Sequence, residues 1–162
     1  MLEILYPRRC AVCDEIEVTG KGICPLCKDK VHVAGEPACK KCGKPLVDER
    51  KEFCTDCGKK HHVYTQGKAV FVYEGGIRNS MYRFKYGNKR EYAEFYANAA
   101  VEKYGVWLNK IKAEVLIPIP MYSRKKRLRG YNQAEVFARE LGRKAGILVD
   151  EHLVCLLYTS PS

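Results

Sequence analysis

Cys10-Ala-Val-Cys13 is the first of four Cys-x-x-Cys pairs that decide the fold of the N-terminal part of this chain. The chain has 162 residues and nine cysteines, and eight of the nine belong to these pairs. A Cys-x-x-Cys turn brings two thiolates to one side of a tight knuckle, and two knuckles supply the tetrahedral sulfur ligands that Zn²⁺ prefers. The sequence therefore predicts two zinc sites, whose ligands are Cys10, Cys13, Cys24, Cys27, Cys39, Cys42, Cys54 and Cys57.

The spacing of the pairs favours a sequential arrangement, with the first pair joined to the second and the third to the fourth. The gaps between successive pairs are 10, 11 and 11 residues, which is room for a short hairpin or loop but for no separate core. Four thiolates leave no position for water or substrate, so both zinc ions are expected to be structural. Gly43 and Gly58 each follow the second cysteine of a pair, where a left-handed residue turns backbone N–H groups towards sulfur.

Redox dithiols and structural disulfides are the alternatives to zinc. Redox dithiols seldom come in four copies, and structural disulfides belong to exported proteins. The start of the chain lacks the order of a signal peptide, and no run approaches the ~20 apolar residues of a membrane span. We therefore expect a cytoplasmic protein with reduced thiols. Because eight cysteines already supply both ligand sets, three nearby histidines are interpreted as surface residues: His32, His61 and His62.

The excess of positive charge lies in the second part of the chain. Residues 1–66 hold 12 Lys and Arg against 10 Asp and Glu, and each tetrathiolate zinc site adds about −2. Residues 67–162 hold 17 Lys and Arg against 9 Asp and Glu. A basic surface of this kind favours an anionic ligand, either phosphate or nucleic acid.

After residue 66 the patterns of strands and helices begin. Residues 68–73 are rich in β-branched and aromatic side chains, which predicts a strand. Apolar residues at helical spacing predict one helix that includes residues 77–84 and a second over residues 92–104. We expect the apolar faces of both helices to pack on a sheet. Residues 115–120 form an apolar run without alternation that ends in proline, which predicts a buried parallel strand.

The most informative segment follows that strand. Five of the six residues from 124 to 129 are Lys or Arg, and Asn132 with Glu135 forms a capping signal for a helix that Gly146 ends. In open α/β sheets ligands collect at the carboxyl ends of strands, and arginines beside a helix start favour phosphate. The basic run is therefore predicted to be a phosphate-binding loop; a solvated loop without a ligand is the alternative.

Taken together, these motifs resemble the ComF family, competence-associated proteins with an N-terminal double zinc ribbon and a phosphoribosyltransferase-like domain. The resemblance covers about residues 1–152. It implies the fold class α/β, with a double zinc ribbon followed by an incomplete type I phosphoribosyltransferase-like domain built on a parallel sheet. Besides the cysteine pairs, it rests on Tyr73-Glu-Gly-Gly-Ile-Arg78, Phe84-Lys-Tyr-Gly87, Ile117-Pro-Ile-Pro120 and Arg129-Gly-Tyr-Asn-Gln-Ala134.

The resemblance implies that residues 121–129 and the start of the next helix hold the pyrophosphate of phosphoribosyl pyrophosphate (PRPP), with Mg²⁺ in the complete protein. In an enzyme the ribosyl 5-phosphate group would pass to a nucleophile, but no catalytic base can be named. The alternative is a non-enzymatic adaptor for DNA uptake, whose ribbons dock competence proteins while residues 82–86, residues 89–92 and the basic loop contact single-stranded DNA. The implied pyrophosphate-binding residues are Arg124, Arg127, Arg129, Gly130 and Asn132.

The same resemblance sets the expected domain limits. The double zinc ribbon occupies residues 1–66, the N-terminal part of the phosphoribosyltransferase-like domain residues 67–153, and a non-native tail residues 154–162. Family members carry a later strand ending in two acidic residues and then a Thr-rich loop, and this sequence has neither. We therefore expect a fragment that is itself inactive, and Cys155 in the tail has no assigned role.

Overall fold

The computed structural model describes residues 7–156. Two cysteine modules come first, the first module at residues 8–30 and the second module at residues 37–60. A region dominated by helices follows them. The elements in chain order are the 3₁₀ helix Pro25–Lys30, α1 Thr55–Lys59, α2 Gly75–Tyr86, α3 Tyr92–Ile111, β1 Val115–Leu116, α4 Ser123–Arg129, α5 Gln133–Ala145 and β2 Leu148–Val149.

The two modules follow one backbone plan. Each begins with a narrow antiparallel turn around its first cysteine pair, and each second pair then starts a short helix. The 3₁₀ helix follows Cys24 in the first module, and α1 follows Cys54 in the second. The antiparallel bridges that close the two turns join Arg9 to Ile16 and Ala38 to Pro45.

The main core lies where α2 and α3 pack against the first module. Ala11 stands between the first two cysteines, is 1% exposed, and packs among aromatic residues of the helices. The first module and the helices therefore share one hydrophobic core. Its buried members are Ala11, Ile77, Phe84, Tyr92, Ala93, Phe95, Tyr96 and Tyr131.

Gly76 allows α2 to approach the first module closely. A Cβ atom at this position would lie 2.7 Å from Val12 Cγ1 and 2.8 Å from the Lys30 carbonyl oxygen. Such distances are well inside van der Waals contact, so any larger residue at position 76 would push the helix away from the knuckle. Gly76, in the first turn of α2, is thus a packing requirement.

β1 and β2 form a two-stranded parallel sheet, in which Val115 pairs with Leu148 and Leu116 with Val149. α4 and α5 connect the strands, and α5 packs along α3 in the most extensive contact between helices. The observed architecture is therefore a mixed helical fold with a small parallel sheet. Within residues 7–156, no helix combines the length and apolar character needed to cross a bilayer.

The helices lie where the sequence predicts them, but α2 and α3 pack against a different surface from the one expected. α2 covers the first predicted helix, and α3 begins at Tyr92 as expected but continues to Ile111. Asn132 caps α5, because its side chain accepts a hydrogen bond from the Ala134 amide at 3.0 Å, and Gly146 ends the helix in a left-handed conformation. The expectation that α2 and α3 pack on a sheet is wrong, because the first module supplies their partner surface.

Both predicted strands extend over more residues than the structure shows in β-pairing. Residues 68–73 contain one isolated bridge, between Phe71 and Val33, because only the short stretch around Val33 lies alongside. Of the apolar run at residues 115–120, only Val115–Leu116 forms a strand. Ile117 and Ile119, which follow β1, are exposed, so this part of the run is not buried as predicted. Of the predicted tail, residues 154–156 are irregular and exposed, and residues 157–162 lie outside the described residues.

Candidate functional site

The structure gathers the eight paired cysteines into two groups of four. Within each group the sulfur atoms all lie within 4.8 Å of one another. This grouping confirms the sequential arrangement predicted from the spacing. The groups are Cys10, Cys13, Cys24 and Cys27 in the first module, and Cys39, Cys42, Cys54 and Cys57 in the second.

The distances between sulfur atoms fit tetrahedral zinc. Zn–S bonds of about 2.3 Å place the sulfurs of a regular tetrahedron about 3.8 Å apart. Cys13 Sγ and Cys24 Sγ are 3.8 Å apart, and Cys42 Sγ and Cys54 Sγ are 3.7 Å apart. All described cysteines are free thiols, since a disulfide needs its sulfurs about 2 Å apart. The two groups therefore fit two structural zinc ions.

One sulfur in each module is already favoured as a thiolate by backbone hydrogen bonds. In the first module the amides of Val12 and Cys24 each donate to Cys10 Sγ at 3.4 Å. Burial works to raise the pKa of Cys10, but the backbone N–H groups outweigh it and lower the pKa to about 7. The same balance lowers the pKa of Cys39 in the second module to about 6.

The last cysteine of each module behaves in the opposite way. Burial and the neighbouring cysteine sulfurs raise the pKa of both Cys27 and Cys57 to about 12. Zinc binds thiolates, so the metal must displace these protons when it enters either group. Zinc affinity at both sites is therefore expected to fall as the pH is lowered.

A left-handed residue follows the first cysteine pair of each module. Asp14 has a φ of 68° and Gly43 a φ of 75°. The expectation is thus confirmed for Gly43, but it is wrong for Gly58, which lies inside α1 because the second pair of each module starts a helix. Sequence reasoning missed Asp14. The position of Asp14 in the sequence indicates this conformation, because Asp tolerates the left-handed region and Asp14 directly follows the first cysteine pair, as Gly43 does in the second module.

The three histidines lie outside both ligand groups of the described chain. His62 stacks on Tyr64 with ring centroids 5.2 Å apart, and His32 and His61 are exposed. Their interpretation as surface residues agrees with this placement. Cys155 is exposed and takes part in neither group.

The N-terminal part of the chain is similar to a known protein family. Residues 1–58 match the family model of the double zinc ribbon domain. The match ends one residue after Cys57, so it includes both cysteine groups and none of α2 to α5. Searches of curated proteins and of solved structures found no match.

The second candidate site is the basic segment, residues 121–132, which differs in shape from the prediction. A loop was expected, but residues Ser123–Arg129 form α4. Arg, Lys and Leu are good helix formers, and no Gly or Pro interrupts them until Gly130, which ends the helix with a φ of 78°. The cationic side chains therefore project around a short helix.

The five residues assigned to pyrophosphate by the resemblance fall into two sets. Arg124 and Arg127 are exposed on α4 and lie three residues apart, close to one face of the helix. Arg129 stacks over the Tyr86 ring at 4.6 Å, and the Gly130 carbonyl oxygen accepts a hydrogen bond from Arg90 at 2.9 Å. Arg124 and Arg127 thus project into solvent, while Arg129, Gly130 and Asn132 make contacts within the fold.

Asn132 belongs to the engaged set. It is 2% exposed, and its Nδ2 donates to the Ile119 carbonyl oxygen at 3.0 Å. Together with its cap on α5, this bond fixes the end of the basic segment to the chain that leaves β1. The Asn132 side chain therefore has a structural role that does not depend on a ligand.

Residues 129–133 form what we call the clamp, because they hold the C-terminal end of α2. A helix end leaves carbonyl groups without partners inside the helix. Tyr131 donates through its hydroxyl group to the Phe84 carbonyl oxygen, and Gln133 Nε2 donates to the Lys85 carbonyl oxygen at 3.0 Å. Sequence reasoning missed the role of Tyr131 and Gln133, although both stand inside the Arg-Gly-Tyr-Asn-Gln motif that it singled out.

The aromatic stretch proposed for DNA contact is divided between core and surface. Phe84 is 3% exposed and Tyr92 is 1% exposed, so both belong to the core. Tyr82 and Tyr86 are exposed, and their ring centroids are 5.0 Å apart. Only this tyrosine pair can offer ring faces to a base.

Proposed function

We propose that this chain is part of a ComF-like protein of the phosphoribosyltransferase family, in which a zinc-stabilised N-terminal region supports a basic segment that binds PRPP. The observation that carries the proposal is the parallel pairing of β1 with β2 across α5. The basic segment follows the carboxyl end of β1, and ligands of parallel α/β sheets bind at that end.

Arg124 and Arg127 are the residues we expect to contact pyrophosphate. Within residues 7–156 neither guanidinium forms an ion pair, whereas Lys126 on the same helix pairs with Glu135 at 2.8 Å. Arginine binds phosphate oxygens through two parallel N–H groups, which suits a ligand with neighbouring phosphates. In this proposal Arg129, Gly130 and Asn132 hold the segment in position for the ligand.

The proposed ligand is Mg²⁺-bound PRPP in the complete protein, where the reaction class would be transfer of the ribosyl 5-phosphate group. The acidic pair and Thr-rich loop that cradle the ribose and its phosphate in the family have no counterpart in this sequence. We therefore propose that this chain binds the pyrophosphate end of PRPP and transfers no group by itself.

Calorimetric titration with PRPP and Mg²⁺ tests this proposal. The double variant Arg124→Ala/Arg127→Ala should bind at least tenfold more weakly than the wild type, because charge-assisted contacts contribute about 1.5–3 kcal/mol each. The matched control is Arg78→Ala/Lys110→Ala, which removes two exposed cations from α2 and α3. Equal affinity in the two double variants would contradict the assignment.

A second candidate function is a non-enzymatic adaptor that binds single-stranded DNA and competence proteins. The observation that favours it is the exposed pair Tyr82 and Tyr86, with the Arg129 guanidinium stacked on Tyr86. Aromatic rings beside cations form the platforms on which unpaired bases stack, at about 1–3 kcal/mol per base.

Tyr82→Ala separates the two candidates, because Tyr82 lies outside the clamp. If the chain is a DNA adaptor, this variant should bind oligothymidylate more weakly, and wild-type affinity should fall steeply with salt. If the chain is a PRPP-binding protein, Tyr82→Ala should leave PRPP affinity unchanged. Oligothymidylate binding that is insensitive to both salt and Tyr82→Ala would rule out the adaptor function at this surface.

A further inference from the structure

We propose that Arg83 is a positioning residue through which zinc in the first module controls the basic segment. The ligand of that segment rests on the function proposed above, but the coupling itself rests on contacts that can be tested without any ligand. It would make the first zinc site regulatory as well as structural.

Arg83 joins α2 to the first zinc knuckle. Its Nη2 donates to the carbonyl oxygen of Val12, which lies between the ligands Cys10 and Cys13. Its Nε is buried and has no hydrogen-bond partner within residues 7–156. A buried cation is costly unless opposite charge lies nearby. A zinc ion with four thiolates supplies about −2 near this guanidinium, and it also orders the knuckle that carries the Val12 carbonyl oxygen.

The same knuckle also holds the start of α3. Asp14 follows Cys13 directly, and its carboxylate accepts a hydrogen bond from the Tyr92 hydroxyl group at 2.7 Å. Lys89 Nζ lies 2.8 Å from the same carboxylate oxygen. Lys89, inside the turn between α2 and α3, and Tyr92, at the start of α3, are therefore both attached to the residue that follows the first cysteine pair.

The residues immediately after Arg83 are those that the clamp contacts. The carbonyl groups of Phe84 and Lys85 accept hydrogen bonds from Tyr131 and Gln133, and the Tyr86 hydroxyl accepts one from Arg129 at 3.1 Å. Direct contacts thus lead from the knuckle through Arg83 and the last turn of α2 to the clamp. The clamp in turn adjoins α4, which carries the two exposed arginines.

The second zinc site lies on a different path. The Gly67 amide donates to the Lys41 carbonyl oxygen at 2.6 Å, and Gln66 Nε2 donates to the Lys40 carbonyl oxygen at 3.3 Å. These contacts attach the second module to residues 66–69, and the Ala69 carbonyl oxygen accepts hydrogen bonds from Lys103 and Tyr104 of α3, which are not among the residues that the clamp contacts. Only the first zinc is therefore expected to influence the clamp.

Hydrogen exchange of the full chain, measured by mass spectrometry, tests the coupling. Arg83→Gln should keep two zinc ions but accelerate exchange in residues 84–86 and 129–133 roughly tenfold to hundredfold, as expected for loss of a charge-assisted hydrogen bond. Arg83→Lys, which keeps the cation, should restore part of the protection. The control Cys54→Ser should lose the second zinc and leave exchange in these residues unchanged.

Zinc affinity distinguishes coupling from a merely structural contact, because the coupling between two sites is reciprocal. If the first zinc holds the clamp through Arg83, Arg83→Gln should weaken binding of that zinc roughly tenfold in a chelator competition, and Arg83→Lys should restore part of the affinity. The affinity of the second zinc should be the same in both variants as in the wild type. Unchanged affinity for the first zinc, or unchanged exchange in zinc-loaded Arg83→Gln, would overturn the proposal.

Titration with inorganic pyrophosphate and Mg²⁺ adds a functional readout. If the wild type binds pyrophosphate, Arg83→Gln should weaken binding about tenfold, as expected for one lost charged contact. Unchanged pyrophosphate affinity in that variant would contradict the regulatory role. If the wild type does not bind pyrophosphate, the proposed function is wrong, and the exchange measurements still decide whether Arg83 couples zinc to the clamp.

Discussion

The first and second modules both have two cysteine knuckles, a short helix after the second cysteine pair and nearly the same sulfur spacing, but they differ in what surrounds them. The first pair of cysteines encloses Ala11 and Val12, which are 1% and 7% exposed and face α2 and α3. The corresponding positions in the second module are Lys40 and Lys41, which face solvent and residues 64–67. One module is thus part of the main core, and the other lies at the periphery.

The residue that follows each first pair shows how the two modules are attached. In the first module Asp14 offers a carboxylate to Tyr92 and Lys89. In the second module Gly43 offers no side chain, and its bare Cα packs directly on the backbone of residues 67–69. The cysteine pattern therefore determines the metal geometry, and the residues next to it determine which module is coupled to the rest of the fold.

The largest expected difference between the modules appears when a zinc ligand is removed. Cys24→Ser and Cys54→Ser should each lose one of two zinc ions, measured by elemental analysis. Cys24→Ser should also abolish cooperative thermal unfolding of the helices, because structural zinc contributes apparent free energies of about 10–16 kcal/mol to folding. Cys54→Ser should unfold the second module only. Equal loss of helical structure in both variants would show that the modules are equally embedded.

Two phenylalanines sharpen the comparison without disturbing a ligand. Phe84 is 3% exposed in the shared core, and Phe53 of the second module is 45% exposed. Phe84→Ala should lower the free energy of unfolding by about 3–5 kcal/mol, whereas Phe53→Ala should change it by less than about 0.5 kcal/mol. Denaturant unfolding of both variants measures this, and a large effect of Phe53→Ala would place part of the core in the second module.

Gly43→Ala tests how the second module is attached. A Cβ atom there would lie 2.7 Å from the Ala69 amide nitrogen, and the φ of Gly43 is already left-handed. Gly20 has a similar φ of 72° but no atom within 4 Å of its added Cβ, so Gly20→Ala controls for backbone strain of about 1 kcal/mol. Gly43→Ala should cost about 1–3 kcal/mol more and raise hydrogen exchange in residues 66–69. Equal effects would mean that close packing at Gly43 contributes nothing.

The smallest effect concerns acid stability. Glu17 of the first module is 4% exposed and accepts hydrogen bonds from the amides of Thr19 and Gly22 at 2.5 and 3.1 Å. Burial works to raise the pKa of Glu17, but the bonds from Thr19 and Gly22 outweigh it and lower the pKa below 4.5. The carboxylate therefore stabilises the fold above pH 4.5, and this contribution is lost as the pH falls through its lowered pKa.

Glu17→Gln should thus cost about 1 kcal/mol at neutral pH and progressively less in acid. The variant is compared with the wild type at each pH, so that the acid sensitivity of the zinc thiolates affects both proteins alike. Leu46 is the residue of the second module that corresponds to Glu17. The Leu46 amide donates a hydrogen bond to the Pro37 carbonyl oxygen, as the Glu17 amide does to the Arg8 carbonyl oxygen. A pH-independent difference between the two proteins would contradict the role of the Glu17 charge.

Local chemistry made the cysteine groups and the α5 cap predictable from the sequence. Four thiols at zinc-ligand spacing, or an Asn before a helical pattern, specify their structure within a few residues. The helical form of α4 was also readable, since strong helix formers run up to Gly130. The clamp and the Val12–Arg83 contact could not be predicted in this way. The Val12–Arg83 contact joins residues 71 positions apart. The sequence does indicate which module is embedded in the core. Ala11 and Val12 are apolar, whereas the second module has lysines at the corresponding positions.

The most direct test of the embedded and peripheral sites is a chelator titration of the wild-type chain. Bound zinc would be counted by native mass spectrometry, while circular dichroism follows the helices in the same samples. We predict that the first zinc ion to leave comes from the second module without loss of helical signal, and that the helices unfold as the remaining ion leaves. Loss of helical signal with the first ion released, or full helical signal in the metal-free chain, would contradict the account.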